Sequence, residues 1–407
     1  MNIAPQCDIV IIGAGIAGLY SGLDLIKRGH RVHIIEKYTY IGGRVTTYHK
    51  KLDGLPISWE NGAARIHSSH TIVRSLLKQY GIQTDPISDK TDYAVGAAAP
   101  ACWEELAQVF LEPLLQLPEK ELAQHTVYSL CKKLHGIKVT QEFIHRYPYY
   151  TEIHVMRADL ALKQLLGELG SRSGYMVCRG GLSQLIDAMA ADFKKRGGTI
   201  ETGVECVNVE TGIVHTSRGP IHASKIICAL HVNALKKLPL FRAHPVLRNL
   251  RMMPLLRIYM VFPKVKGAVW FSNMNKVVTA GKLRYIIPID VEKGSIMVSY
   301  TDGADTNSWM WGAGYGASDE VKARLTAELL KELRALFGEI PEPLFMKAHP
   351  WYDGATAWLP GAYDAAKMSE AICNGPKNIY VCGESYSLRQ AWMEGALEHA
   401  SLMLTKM

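Results

Sequence analysis

At 407 residues the chain exceeds one ordinary core, so two domains are the expectation. Its blend of apolar (48%), charged (21%) and glycine residues is that of a folded protein and excludes the disordered classes. The formal charge of +8 comes from short, dispersed pairs such as Lys132-Lys133. Without a long basic run carrying interleaved aromatics, nucleic acid is not an expected partner, whereas anionic phosphates or acidic substrates suit such a charge.

No run reaches the uncharged apolar length that spans a bilayer, so no membrane partner is expected. The start, "MNIAPQC", has no basic segment and leads straight into a strand pattern, which predicts a cytoplasmic protein. The eight cysteines, Cys102 among them, are scattered with no CxxC spacing. They read as small buried hydrophobes, not as disulfides or metal ligands.

The first element is a short apolar strand, Asp8 to Ile12. Gly13, Gly15 and Gly18 follow in G-x-G-x-x-G spacing, then a helical pattern ending at Gly29, then a second strand, "RVHIIE", closing on Glu36. Each position suits a dinucleotide. Gly13 permits the tight turn, Gly15 lets a pyrophosphate approach the backbone, and Gly18 lets helix pack on strand. The helix start offers amides and a positive dipole end, and Glu36 would accept hydrogen bonds from both ribose hydroxyls.

Next, "YIGGRVTT" supplies Gly42, Gly43 and Arg44, glycines plus a fixed cation that suit a longer, bent ligand. From here the chain resembles the flavin-containing amine oxidase superfamily, which includes monoamine, polyamine and L-amino acid oxidases. "SWENGAARIHSSHTIVRSLLKQYGI" resembles the family segment that passes the flavin and leaves the cofactor domain. An amphipathic helical stretch from about Cys102 to Leu169 covers the expected cavity. "GYMVCRGGLSQLIDAMAADFKKRGGTIETGVECVNVE" resembles the return, with a helix after Gly180-Gly181 and a strand around Val204 lying by the adenine. "ASKIICAL" reads as a further parallel strand. "LLRIYMVFP", "LRYIIPID" and "SIMVSYTDG" read as a second, largely antiparallel sheet, followed by a helix over about Ser318–Phe337. "KNIYVCGESYSLRQAWMEGALEHASLML" resembles the family's closing motif. There Gly383 and Glu384 approach the cofactor, and a helix opening near Trp392 and Met393 caps the flavin ring.

The resemblance implies an α/β fold: a Rossmann-like FAD-binding domain (1–70, 176–232 and 346–407) with a discontinuous α+β substrate domain (71–175 and 233–345). It implies an FAD-dependent oxidase that takes an amine or α-amino acid to an imine, then to a carbonyl product and ammonia or a smaller amine. Molecular oxygen is the second substrate and hydrogen peroxide the second product. Lys276 corresponds to the lysine that holds a water against flavin N5. Trp392 matches one wall of the substrate cage; Ala357 or Trp358 falls at the other, where some relatives have tyrosine. Trp351 is assigned to the flavin. Thr356 lies in a loop near the place where monoamine oxidases attach flavin through cysteine, so noncovalent FAD is expected.

Arg65, in "GAARIH", matches the arginine with which L-amino acid oxidases clamp the substrate carboxylate; pairing with a protein acid or with FAD is the alternative. Asn61 departs from the Leu or Gly of relatives, and His67 and His70 read as caps or surface groups. The ending "LMLTKM" leaves no anchoring tail, so solubility is expected, and a homodimer is compatible with the sequence. A flavin desaturase or porphyrinogen-type oxidase, or a non-catalytic flavin-binding module, are the alternative functions on the same scaffold.

Overall fold

The computed structural model describes residues 7–94, 103–169 and 174–407. The first six residues and Cys102, both read above, lie outside them; the seven cysteines within are free, and most are buried. Among the described residues no helix is long and apolar enough to cross a membrane.

The chain opens with β1 (Cys7–Ile12), α1 (Ile16–Lys27) and β2 (Val32–Glu36). β1 is buried almost throughout, as a strand covered on both faces must be. It pairs in parallel with β2, Ile9 facing Val32, and with the strand Gly219–Cys228, Ile12 facing Cys228. Thr199–Thr202 and Ile379–Val381 extend this parallel sheet at its two ends. The first half of Gly219–Cys228 instead pairs antiparallel in a meander with Ile213–Thr216 and Cys206–Glu210. Ile9 and Ile11 pack with side chains of α1, of the helix Ser183–Lys195 and of the C-terminal helix Met393–Leu404; Val10 and Ile12 belong to the core on the opposite face. The fold is thus α/β with a Rossmann-like sheet. The strand expected around Val204 ends at Thr202, and Val204 follows it with its amide donated to the Glu36 carbonyl.

A second sheet runs in the order Phe345–Trp358, Leu250–Val261, Ser295–Asp302, Tyr285–Asp290, Lys276–Thr279, Thr91–Ala94. All of its pairs are antiparallel except the last. Thr356, read as a loop residue, lies inside the first of these strands, opposite Met252. The helix Asp319–Phe337, capped by Ser318, buries Leu325, Leu329, Leu330 and Leu333 against one face. The other face carries Tyr259, Tyr285 and Tyr300 into the core shared with the helical segment. There the helix Val127–Arg146 starts on a Thr126–Ser129 capping box and is interrupted at Gly136, whose φ of 79° breaks the helical path.

Candidate active site

The glycine turn is shaped by two different demands. A Cβ on Gly18 would stand 2.0 Å from the Gly13 carbonyl oxygen, and one on Gly13 would stand 2.7 Å from that of Ala229. Those two glycines let helix and strands approach. Gly15 is different: a Cβ there would meet nothing closer than the Gly42 oxygen at 3.9 Å, and Gly43 is equally open. Packing therefore leaves a concavity over Gly15 and Gly43 that a side chain would fill and a phosphate can enter. α1 begins at that point with no side-chain cap, its first-turn amides facing the same turn.

Acid and base side chains complete the cradle. Glu36 accepts from the amides of Ala14 (2.9 Å) and Tyr38 (3.0 Å), which fixes its carboxylate at the end of β2. Arg44 donates to Glu384 (2.7 Å) and to the Gly354 carbonyl (3.1 Å). Glu384, buried, also accepts from the amides of Thr356 (3.0 Å) and Ala391 (2.7 Å), and from the Thr356 hydroxyl. Gly383 precedes it at a φ of 137°, a conformation left to glycine. The Trp351 indole donates to the Asn61 carbonyl (2.5 Å). Met393 opens the C-terminal helix with Trp392 at its N-cap and no side-chain cap, a second uncapped helix start. Glu394 accepts from the amides of Ile72 and Val73, tying this helix to the one that follows Arg65. Open glycines, uncapped helix starts and a fixed guanidinium are the donors that a dinucleotide carrying a flavin requires, so these residues fit it.

The substrate side is assembled from separate segments around one cavity. Gly62 and Ala63 are pressed onto Arg44: the Ala63 amide donates to the Arg44 carbonyl at 2.9 Å, and a Cβ on Gly62 would stand 2.1 Å from that oxygen. This close approach fixes Arg65 three residues on, beside the strand pair in which His67 faces Tyr175. Arg65 donates to the Tyr149 hydroxyl (2.5 Å), and its guanidinium carbon lies 5.6 and 5.5 Å from the ring centres of Tyr149 and Tyr175. Tyr285 lines the same cavity, and so does Lys276 at the start of its strand. Thr91 and Tyr93 reach it from the adjoining strand, in register with Lys276 and Val278.

Tyr149 is held by the turn after the helix Val127–Arg146. The buried Arg284 donates to the Ile144 and Tyr147 carbonyls, and Asp302 accepts from the Tyr150 and Thr151 amides at 2.8 Å each. Trp392 joins through Tyr175, its ring stacked at 6.2 Å, and it meets His70 at 4.9 Å. His67 and His70, read as caps or surface groups, are buried behind this wall. Trp358 does not line the cavity: it is fully buried, and its indole donates to the Ser387 carbonyl.

Among the described residues no carboxylate lies within ion-pairing distance of Arg65. Burial alone would lower its pKa, but Tyr149, Tyr175, Tyr300 and Tyr285 outweigh that and hold it above the ordinary guanidinium value, so it is charged. Glu152 is a buried acid near enough for the Arg65 charge to act on it. Burial first and the charge of Asp302 second push Glu152 far above the ordinary carboxylate range, and one of its oxygens has no hydrogen-bond partner. A carboxyl kept neutral does not cancel Arg65. The cage thus holds a half-buried cation.

A Rossmann-like sheet with an open glycine cradle, joined to a second sheet that walls a caged cation, defines a two-part dinucleotide-binding protein. The family model described as flavin containing amine oxidoreductase matches residues 16–402, and the chain belongs to that family. An L-amino-acid oxidase of Siganus canaliculatus is 45% identical over 87 residues, 21% of this chain and 16% of that protein. One from Naja atra is 30% identical over 99 residues, 24% and 19% of the two chains. These alignments span under a fifth of the curated relatives. Over the whole length the fold matches wild-type putrescine oxidase bound to putrescine, with a TM-score of 0.73, 16% identity and 98% of each chain covered. A cofactor-binding redesign of that enzyme matches with the same score at 15% identity.

Proposed function

We propose that the protein is an FAD-dependent oxidase of α-amino acids. The observation that carries this reading is Arg65, a charged guanidinium in a tyrosine cage with no carboxylate within ion-pairing distance among the described residues. A substrate carboxylate supplies the missing counterion and matches the guanidinium fork. Putrescine-like diamines bring positive charge to a cavity that already holds Arg65, Arg146 and Lys276. Like charges at such distances oppose binding, which favours the amino acid over the polyamine reading.

Gly15, Gly43, Arg44 and Glu384 would hold FAD noncovalently, and bound there it would supply a two-electron acceptor for the hydride of the substrate α-carbon, with oxygen as the final acceptor and peroxide as its product. The protein's own work is positional. Arg65 anchors the carboxylate, so the α-carbon presents one face toward the cofactor side of the cavity. The tyrosines and Trp392 exclude bulk water around the amine, which must be neutral to lose hydride. Lys276 stands where it can order a water at the cavity wall; the imine product hydrolyses in water to a 2-oxo acid and ammonia. The test is anaerobic addition of α-amino acids, and separately of their decarboxylated amines, to the purified yellow holoprotein. Loss of the flavin absorbance with the acids alone is the expected result; loss with the amines alone overturns the reading.

A further inference from the structure

The cavity around Arg65 carries more positive charge than an α-carboxylate uses. Among the described residues two guanidiniums, those of Arg65 and Arg146, line it, and neither has a carboxylate within ion-pairing distance. Arg146 closes the helix Val127–Arg146 and shares the turn Tyr147-Pro148-Tyr149 with the cage. Its side chain is half-buried, its Nε is buried without a hydrogen-bond partner, and among the described residues no acid pairs with it. A buried guanidinium donor left unmet is costly, and a structural arginine at a helix end would ordinarily find a carbonyl or carboxylate. The neighbouring carbonyls of Ile144 and Tyr147 are already taken by Arg284. Arg146 is thus a second guanidinium on the same cavity, bonded to neither of these carbonyls.

We infer that this cavity selects an α-amino acid carrying a second acid group, with Arg65 on the α-carboxylate and Arg146 on the side-chain carboxylate. A dicarboxylic amino acid with its amine neutral carries two carboxylates, one for each guanidinium. Its second carboxylate also meets the buried Nε that an apolar side chain leaves bare. The net charge of +8 adds long-range attraction for such a dianion. The inference rests on the amino acid reading above and names its substrate class.

The test uses the purified holoprotein and two readouts. Binding is measured as the shift in melting temperature given by glutarate and by butyrate, dianion against monoanion. Turnover is measured as kcat/KM for glutamate and aspartate against glutamine and asparagine. The expected result is a larger shift with glutarate and a preference for the acids of roughly ten-fold or more. Arg146→Gln should lower that preference by roughly ten-fold or more and erase the glutarate advantage, while Arg146→Lys keeps part of both. Equal shifts with the two probes, a preference for the amides, or an Arg146→Gln variant that keeps the acid preference each overturn the inference. In those cases oxidation of neutral amino acids leaves the amino acid reading standing. Oxidation of amines alone overturns both together.

Discussion

The cofactor cradle opens in one continuous stretch, from β1 to Arg44, whereas the substrate cage gathers Arg65, Arg146, Tyr149, Tyr175, Lys276 and Tyr285 from separate parts of the chain. The first works mainly through backbone: glycines whose side chain would either strike a carbonyl or fill the phosphate space, and a helix that begins uncapped. The second works through side chains, positioned by turns that buried residues hold from behind. A backbone site tolerates almost no change of residue but depends little on what lies far away in sequence. A side-chain cage inverts this, each member being replaceable in shape and dependent on distant support.

The largest effect that sharpens this contrast is expected inside the glycine turn. Gly18→Val places a side chain against the Gly13 carbonyl and should leave purified protein almost without flavin and poorly folded. Gly15→Ala meets no protein atom, so the apoprotein should melt as the wild type does, while flavin binding weakens by roughly ten-fold or more. Flavin content and melting temperature separate the two; equal behaviour would show that Gly15 too is there for packing.

In the cage, Arg65→Met should lower kcat/KM for α-amino acids by about 100- to 1,000-fold, through loss of a half-buried charge partner, and should harm amines far less. A matching loss with amines would mean that Arg65 supports the fold rather than the carboxylate. Between the two regions, Glu384→Gln loses the charge that answers Arg44 while Thr356 and Ala391 still donate toward it. The expected cost is about 2–3 kcal/mol in denaturant unfolding of the holoprotein.

A pH effect of similar or smaller size comes from Glu60, which joins the strand before Arg65 to the helix Ser183–Lys195. Burial pushes its pKa up to about 7, partly offset by hydrogen bonds from the Leu182 amide and the Thr47 hydroxyl. An acid whose pKa is higher folded than unfolded binds its proton in the native state. Its contribution is full below about pH 4.5 and is lost as pH rises through 7. Glu60→Gln should therefore remove a decline in stability on the order of 1–3 kcal/mol between pH 5 and 8. Urea melts across that range check it, and an unchanged slope would contradict it. The smallest effect is expected for Tyr149→Phe, which removes the hydroxyl that Arg65 donates to and should raise KM for amino acids several-fold.

How much of this was legible follows the same division. β1, Gly13, Gly15, Gly18 and Glu36 were readable because the spacing of a phosphate turn is local. The closing helix at Met393 came from the resemblance to the family's closing motif. Lys276 and Arg65 came from resemblance, and the structure sets both on one cavity. The tyrosine cage was missed, although "RYPYY" at Arg146–Tyr150 offered a signal, an aromatic cluster around a proline where a helix must stop. Periodicity tells which face of an element is buried but not which distant ring it will meet. Trp358 shows the converse: the resemblance suggested a cage wall, and it packs in the core with its indole satisfied by Ser387. Thr356 was read as a loop residue through the resemblance, yet the pairing of Phe345–Trp358 with Leu250–Val261 carries the strand through.

The central claim is that the caged guanidinium holds a substrate carboxylate. A crystal structure of the holoprotein with glutarate, which cannot be oxidised, tests it most directly. One carboxylate of the ligand is predicted within hydrogen-bonding distance of Arg65, inside the ring of Tyr149, Tyr175 and Tyr285. A ligand bound elsewhere, or an Arg65 turned to a protein acid or to the flavin phosphates, would contradict the account.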